Sequence, residues 1–198
     1  MSGIRRMVCA LLATGAIGLG GAATANATEL TIYATDSCFI STSDNGCDAV
    51  DVGMRDFYTY EAHGLLKFDV SAIPANATLT SAKLLLYTLS DPDLASGGTL
   101  LWPSGMPWTH DATWNTSDGT TSWTAPGGDL ASTYGKGIDA ADGPWLEWDS
   151  MDSYVEDWRA NPGSNYGLIL TQPFTDGFTL YETVDSSYPP RLVVTYDT

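Results

Sequence analysis

The stretch from residue 63 to residue 89 most restricts what this chain can fold into, because it contains two strand patterns joined by a polar turn. Residues 65–70 read LLKFDV, where apolar side chains alternate with charged ones. Residues 79–89 read LTSAKLLLYTL, where both faces of a strand are largely apolar. A strand with two apolar faces usually lies inside a sheet and is covered on both sides. We therefore expect these two strands at the centre of the fold.

Short strand patterns fill most of the remaining chain. They lie at residues 28–35, 99–102, 165–171, 177–182 and 190–196. A long loop-like stretch rich in Gly, Pro, Ser, Thr and Trp follows the pattern at 99–102, and strands and helices do not alternate as they do in βαβ units. The sequence therefore predicts an all-β fold, an antiparallel two-sheet β-sandwich of jelly-roll-like type.

One helix is predicted, over residues 150–160. Met151, Val155 and Trp158 recur at i, i+4 and i+7 and form one apolar face. Ser150 is a suitable cap for the first turn, and the Asn-Pro-Gly sequence that follows ends the helix. We therefore expect Trp158 in the core.

The first 27 residues have the organisation of a secretory signal peptide. Two arginines precede an apolar run at residues 7–21, and Ala25-Asn26-Ala27 matches a cleavage site. The competing interpretation, a transmembrane helix, is weaker because the run is short and rich in Gly and Ala. We expect residues 1–27 to be removed and residues 28–198 to form a single, stand-alone, extracellular domain that does not insert into a membrane.

Cysteine use agrees with export. Cys9 lies in the targeting segment, which leaves Cys38 and Cys47. A single pair in an oxidising compartment most simply forms a disulfide, which would stabilise the fold by roughly 2–3 kcal/mol. A redox or metal-binding pair is the alternative, but the CxxC spacing typical of it is absent.

The charge of the chain is strongly negative, with 24 Asp and Glu against eight Lys and Arg. Loss of the two arginines in the targeting segment leaves a net charge of −18. Such a surface repels nucleic acid, anionic membranes and polyuronic acids, unless a cation bridges them. Solubility is the plain explanation of this charge, and bound Ca²⁺, which prefers oxygen ligands, is the more specific one.

Four segments resemble the DNRLRE-domain family, also called disaggregatase-related. They are LLKFDVSAIPANATLTSAKLLLY, PWTHDATWN with a later GGD, WDSMDSYVEDWRANPGSNYGLIL and LYETVDSSYPPRLVVTY, in that order. The resemblance implies an exported β-sandwich accessory module, without catalytic activity and in some members carbohydrate-binding. This chain departs from the pattern at His110, where the family often has Glu.

The hypothesis of carbohydrate binding rests on the aromatic side chains, because sugar rings have apolar faces that pack on them. Trp is also a large core residue, and Trp114, Trp148 and Trp158 are assigned to the core. Exposed rings are expected around the long loop, and Tyr188 is expected to be exposed in a Pro-rich loop. The predicted ligand-binding side chains are Trp102, Trp108, Trp123, Tyr134 and His110.

Carboxylates near strand ends are the candidates for a structural calcium site. They are Asp36, Asp69, Asp129 and Asp149. The alternative is that these aspartates cap turns and the helix, as Asp commonly does.

Catalytic motifs are absent, since neither GxSxG nor HExxH occurs. We therefore predict a secreted, non-catalytic module that binds a polysaccharide or cell-surface glycan, neutral or bridged by calcium. The alternative is a structural or protein-interaction subunit of a secreted or cell-surface assembly, whose partner is another secreted protein. A row of rings in a groove favours sugar, whereas a flat apolar patch or an unpaired edge strand favours protein.

Overall fold

The computed structural model of the protein describes residues 27–43, 45–46, 50–55, 60–89, 98–172 and 177–198. The strands are β1 (Thr28–Ser41), β2 (Asn45–Gly46), β3 (Val50–Arg55), β4 (Tyr60–Phe68), β5 (Thr78–Tyr87), β6 (Leu100–Pro103), β7 (Ala140–Asp142), β8 (Trp145–Trp148), β9 (Leu168–Thr171), β10 (Gly177–Tyr181) and β11 (Arg191–Asp197). Helix α1 (Asp152–Ala160) and a short 3₁₀ turn (Pro162–Ser164) lie between β8 and β9. The all-β prediction and the predicted helix are confirmed. The proposed signal peptide falls almost entirely outside the described residues.

The strands form a continuous antiparallel sheet that curls like a half-barrel, in the order β10-β3-β4-β1-β11-β5-β8-β7. Strand β1 joins the two halves, because residues 28–33 pair with β11 and residues 34–41 pair with β4. The register shifts between Ala34 and Asp36, where β1 passes from one partner to the other. The jelly-roll-like division into two sheets stays a prediction.

The main core fills the inside of the curl. Inward-facing side chains of alternate strand residues, such as Leu84 and Leu192, are fully buried there with the apolar face of α1. Val155 and Trp158 of α1 are buried as predicted. The predicted cap is wrong, since Met151 takes the N-cap position without a side-chain hydrogen bond and Ser150 has a left-handed φ of 54°.

Strand β4 is covered on both of its faces, whereas the sequence predicted this for β5. Leu65 and Leu66 are adjacent on β4 and therefore point to opposite faces, yet both are fully buried. On β5, Leu84 and Leu86 are buried, but the outer face is only half-buried. The difference arises because a distant loop covers the outer side of β4, and periodicity within a strand cannot reveal which loop packs on it.

That loop comprises residues 104–139 and forms a second core with the outer side of the sheet. Trp108 and Trp123 of the loop pack with Cys38, Ile40 and Leu65 of the sheet. Among the described residues, every helix is too short or too polar to cross a membrane.

Candidate functional site

Two outer surfaces of the curled sheet are candidates for a binding site. The first lies over β4, β9 and the second half of β1, and the loop of residues 104–139 covers it. The second lies over β11, β5 and β8, where the outward side chains are half-buried. Most of the ligand-binding side chains predicted from the sequence belong to the covered surface.

Trp108 and Trp123 are only 2% and 5% exposed, so the prediction that their rings are exposed is wrong. Each indole N–H donates to a backbone carbonyl at 2.9 Å, that of Trp108 to Tyr166 and that of Trp123 to Thr113. A Trp side chain is readily buried when its indole N–H donates a hydrogen bond inside the protein. The two rings therefore anchor the loop and present no free face to a sugar.

Trp102 is half-buried and also helps to hold the loop. Its indole N–H donates to Oγ1 of Thr171 at 2.9 Å. A Cβ atom added to Gly135 would lie 2.6 Å from ring atoms Cε2 and Cζ2, so the backbone of Gly135 lies against this ring. Trp102 is therefore less accessible than the sequence analysis predicted.

The three tryptophans assigned to the core differ in burial. Trp148 and Trp158 are buried as predicted, whereas Trp114 is only half-buried. The ring of Trp114 lies against His63, with the ring centroids 4.9 Å apart. Nδ1 of His63 lies 2.6 Å from the carbonyl oxygen of Gly127, and a carbonyl can only accept, so this nitrogen carries the hydrogen. His63 and Trp114 thus form a second anchor of the loop.

His110 lies at the edge of the covered surface, and 63% of its side chain is exposed. Its Nε2 is 2.9 Å from Oδ1 of Asp36, an ion-pair contact that is not aligned as a hydrogen bond. Its Nδ1 is 3.1 Å from the sulphur of Cys38. Nζ of Lys67 lies 3.7 Å from the other carboxylate oxygen of Asp36, Oδ2, and donates a hydrogen bond to the carbonyl of Trp108 at 2.5 Å. Burial lowers the pKa of Lys67. These contacts also tie the loop to the sheet.

The four aspartates predicted to bind calcium do not form a group of three or more ligands in the described part of the chain. Asp69 accepts the backbone N–H of Ser71, which lowers the pKa of its carboxyl group. Asp129 accepts the backbone N–H of Thr124. Both aspartates therefore cap turns, as in the alternative interpretation. Asp149 is exposed just before α1.

Asp36, Cys38 and His110 are the one group of three potential metal ligands found among the residues that the structure describes. The Lys67 ammonium lies 3.7 Å from Asp36 and disfavours a cation there, and the predicted disulfide would leave Cys38 without a thiolate. Cys47 lies outside the described residues, and its pairing with Cys38 stays a prediction.

The uncovered surface carries a cluster of side chains that we call the sheet-face cluster: Tyr87, Trp145, Tyr188 and Arg191. Tyr87 of β5 and Trp145 of β8 are cross-strand partners, and their rings meet edge to face with centroids 5.3 Å apart. Tyr188, just before β11, stacks on Tyr87 with centroids 4.4 Å apart. The guanidinium group of Arg191 lies 4.1 Å from the centroid of Trp145, a cation–π contact.

Polar groups surround the sheet-face cluster. Lys83 and Glu147 form an ion pair at 3.0 Å, and Asp142 on β7 is the cross-strand partner of Trp145. Arg191 makes no ion pair with any residue that the structure describes. The surface therefore combines exposed ring area with charged donors and acceptors, which is a combination that suits a hydroxylated ligand.

The profile of carbohydrate-binding module family 96 matches residues 26–196 of the chain. The chain belongs to this family. No curated protein matches the chain. Family 96 membership agrees with the expected carbohydrate-binding type of module, and the DNRLRE name stays an interpretation. Of the two surfaces the sheet-face cluster is the stronger candidate, because it offers the 46% exposed ring of Tyr188 beside two half-buried rings, whereas Trp108 and Trp123 are buried under the loop.

Sequence reasoning missed three members of this family 96 candidate site, Tyr87, Trp145 and Arg191. It anticipated the exposure of Tyr188, which is 46%. The sequence signal that could have indicated this site was the outer face of β5, formed by Lys83, Leu85 and Tyr87, which carries both a charge and a ring. Tyr134 is 83% exposed as predicted, but it makes no ring contact in the described part of the structure.

A cavity of about 540 Å³ between α1 and the turn after β4 is a weaker candidate for a family 96 ligand site. Asp69 and Arg159 line it, but both are engaged within the protein: Asp69 with Ser71, and Arg159 with Glu156 and the carbonyl of Pro74. The aromatic side chain of Trp158 in its wall is only 5% exposed.

Proposed function

We propose that the protein is a secreted, non-catalytic module that binds an extracellular or cell-surface polysaccharide through the sheet-face cluster. The observation that supports this most directly is the stack of Tyr188 on Tyr87 beside Trp145. With one face of its ring against Tyr87, Tyr188 is still 46% exposed, so its other face can pack on a sugar.

The surrounding charges support the same proposal. Arg191 can donate to sugar oxygens while it remains over Trp145, and Glu147 and Asp142 can accept from hydroxyl groups. Such a mixture of rings and polar groups differs from the flat apolar patch expected of a protein-binding surface.

A glycan-array screen of residues 28–198, with calcium and with EDTA, tests the proposal. The array contains neutral and acidic polysaccharides, and each glycan that binds is then titrated by calorimetry. We expect Tyr188→Ala to weaken binding about tenfold, a loss of ~1.4 kcal/mol. Tyr134→Ala is the matched control, since Tyr134 is an exposed loop tyrosine outside the cluster, and we expect it to bind like the wild type.

Three results would contradict the proposal. Equal losses for both tyrosine variants would place the site elsewhere, and release of reducing ends from a bound polysaccharide would make the protein an enzyme. Failure to bind any glycan, with or without calcium, would favour the alternative of a protein-interaction subunit.

Secretion and architecture complete the proposal. We propose that residues 1–27 are removed on export and that Cys38 pairs with Cys47. We also propose that the curled sheet divides into the two layers of a jelly-roll-like sandwich. Mass spectrometry of the exported protein, before and after reduction, tests the first two points: it should begin at Thr28 and gain the mass of two hydrogens on reduction.

A further inference from the structure

The sheet-face cluster continues towards β1 through one more exposed ring. Tyr33 of β1 is the cross-strand partner of Arg191 on β11, so both side chains point to the same outer face. Tyr33 is 44% exposed. The outer surface thus carries accessible tyrosines on both sides of Arg191, Tyr33 on β1 and Tyr188 above β5.

The distance along this line exceeds the size of one sugar ring. Strands β1, β11 and β5 are consecutive neighbours, and neighbouring strands lie about 4.8 Å apart, so the strand of Tyr33 lies about 10 Å from that of Tyr87, on which Tyr188 stacks. One sugar unit packed on Tyr188 could not reach Tyr33 as well. A ligand that touches both must be an extended chain that crosses the strands.

The two ends of the line are equally open. Tyr33 and Tyr188 have nearly the same exposure, 44% and 46%, so neither end is closed by a deep pocket around a ring. A site for the terminal unit of a chain needs a wall that stops the chain, whereas a line of rings open at both ends accepts a chain that continues past it.

We propose that the line from Tyr33 to Tyr188 binds an internal stretch of an extended polysaccharide, with Tyr33 contacting a different sugar unit from the one at Tyr188. This inference rests on the proposed function. Two contacts on one chain act together, because the second forms at a high effective concentration once the first is made. Tyr33 is then a specificity-determining residue for chain length.

Calorimetry with the purified disaccharide, tetrasaccharide and hexasaccharide of a glycan that binds in the array tests this inference. We expect the hexasaccharide to bind at least about tenfold more tightly than the disaccharide. Tyr33→Ala should weaken hexasaccharide binding about fivefold and leave disaccharide binding unchanged, whereas Tyr188→Ala should weaken both. Tyr33→Phe keeps the ring and should keep the affinity.

Thr31→Ala is the matched control, because Thr31 is exposed on the same strand and the same face. A second measurement separates internal from terminal recognition: the intact polymer should compete at least as well per unit mass as the same polymer cut into short chains.

The possible failures are distinguishable. Equal affinity for all three oligosaccharides, better competition by the cut polymer, or equal effects of Tyr33→Ala and Thr31→Ala would overturn this inference and leave the proposed function standing. Absence of binding by every oligosaccharide and by the polymer would overturn the proposed function itself.

Discussion

The rings of Tyr87 and Tyr188 stack with their centroids 4.4 Å apart and their planes within 9° of parallel. Tyr87 ends β5, and Tyr188 belongs to the segment that leads into β11, so the stack attaches this segment to the sheet. Trp145 meets both rings edge-on, at 5.3 and 6.2 Å. A loop residue is thereby held as a fixed ring on the surface, which reduces the entropy lost when a ligand binds.

A double-mutant cycle measures this stack. We expect Tyr87→Ala and Tyr188→Ala to show a coupling free energy of about 0.5–1.5 kcal/mol in urea unfolding, because each variant removes the same ring contact. Tyr87→Ala combined with Tyr134→Ala is the control pair and should be additive within about 0.5 kcal/mol. Additivity of the stacked pair would show that the contact contributes nothing to stability.

Local pattern was sufficient to predict the helix and the strands with clear alternation, but it missed the short strands β7 and β8. The alternation in LVVTY became β11, and the spacing of Val155 and Trp158 became the buried face of α1. These features depend on residues that are close together in the sequence, where side-chain period sets the exposed and buried faces. Their positions in space depend on distant partners, which one sequence does not reveal.

The candidate site shows this limit. Trp108 is buried because its N–H reaches the carbonyl of Tyr166, 58 residues away. Tyr33 and Arg191 are neighbours only because the first and last strands pair. The sequence therefore pointed to rings as candidate ligand contacts, but it could not distinguish those under the loop from those on the open face.

Trp108 should contribute to stability and not to binding. Trp108→Ala should lower the free energy of unfolding by about 3–5 kcal/mol, since it removes a large buried ring. Trp108→Phe keeps most of the packing but leaves the carbonyl of Tyr166 without its donor, and should cost about 1–3 kcal/mol. Urea unfolding gives both values. Glycan affinity of the folded Trp108→Phe protein should equal that of the wild type, and a selective loss of affinity would restore Trp108 as a ligand contact.

The contact of Glu61 with His63 predicts a pH effect. Oε1 of Glu61 lies 3.3 Å from Nε2 of His63, and this contact lowers the pKa of Glu61 from its ordinary value of 4.5. Because the pKa of Glu61 is lower in the folded protein than in the unfolded chain, its carboxylate contributes fully to stability at pH values above the unfolded pKa. This contribution is lost as the pH falls through the folded pKa. Because 38% of the Glu61 side chain is exposed, solvent limits the contribution to less than about 1 kcal/mol.

Urea unfolding between pH 3 and pH 6 measures this contribution. Glu61→Gln should be less stable than the wild type at pH 6, and the difference should disappear as the pH falls below 4.5. Glu29→Gln, a change at an exposed residue near the start of β1, is the control and should follow the wild type throughout. A difference between wild type and Glu61→Gln that stays constant with pH would show that the ionised carboxylate is not its source.

Gly135 and Gly137 provide the sharpest test of how the loop packs. A Cβ at Gly135 would lie 2.6 Å from the ring of Trp102 and 2.9 Å from Cβ of Leu100, whereas a Cβ at Gly137 meets nothing within 4 Å. Gly135→Ala should therefore destabilise the protein by about 1–3 kcal/mol, because the Trp102 ring must move and its hydrogen bond to Thr171 is strained. Gly137→Ala should be neutral, or stabilise by up to about 1 kcal/mol through the unfolded state. Thermal and urea unfolding of the two variants should separate them clearly, and equal stabilities would mean that the loop does not lie against Trp102.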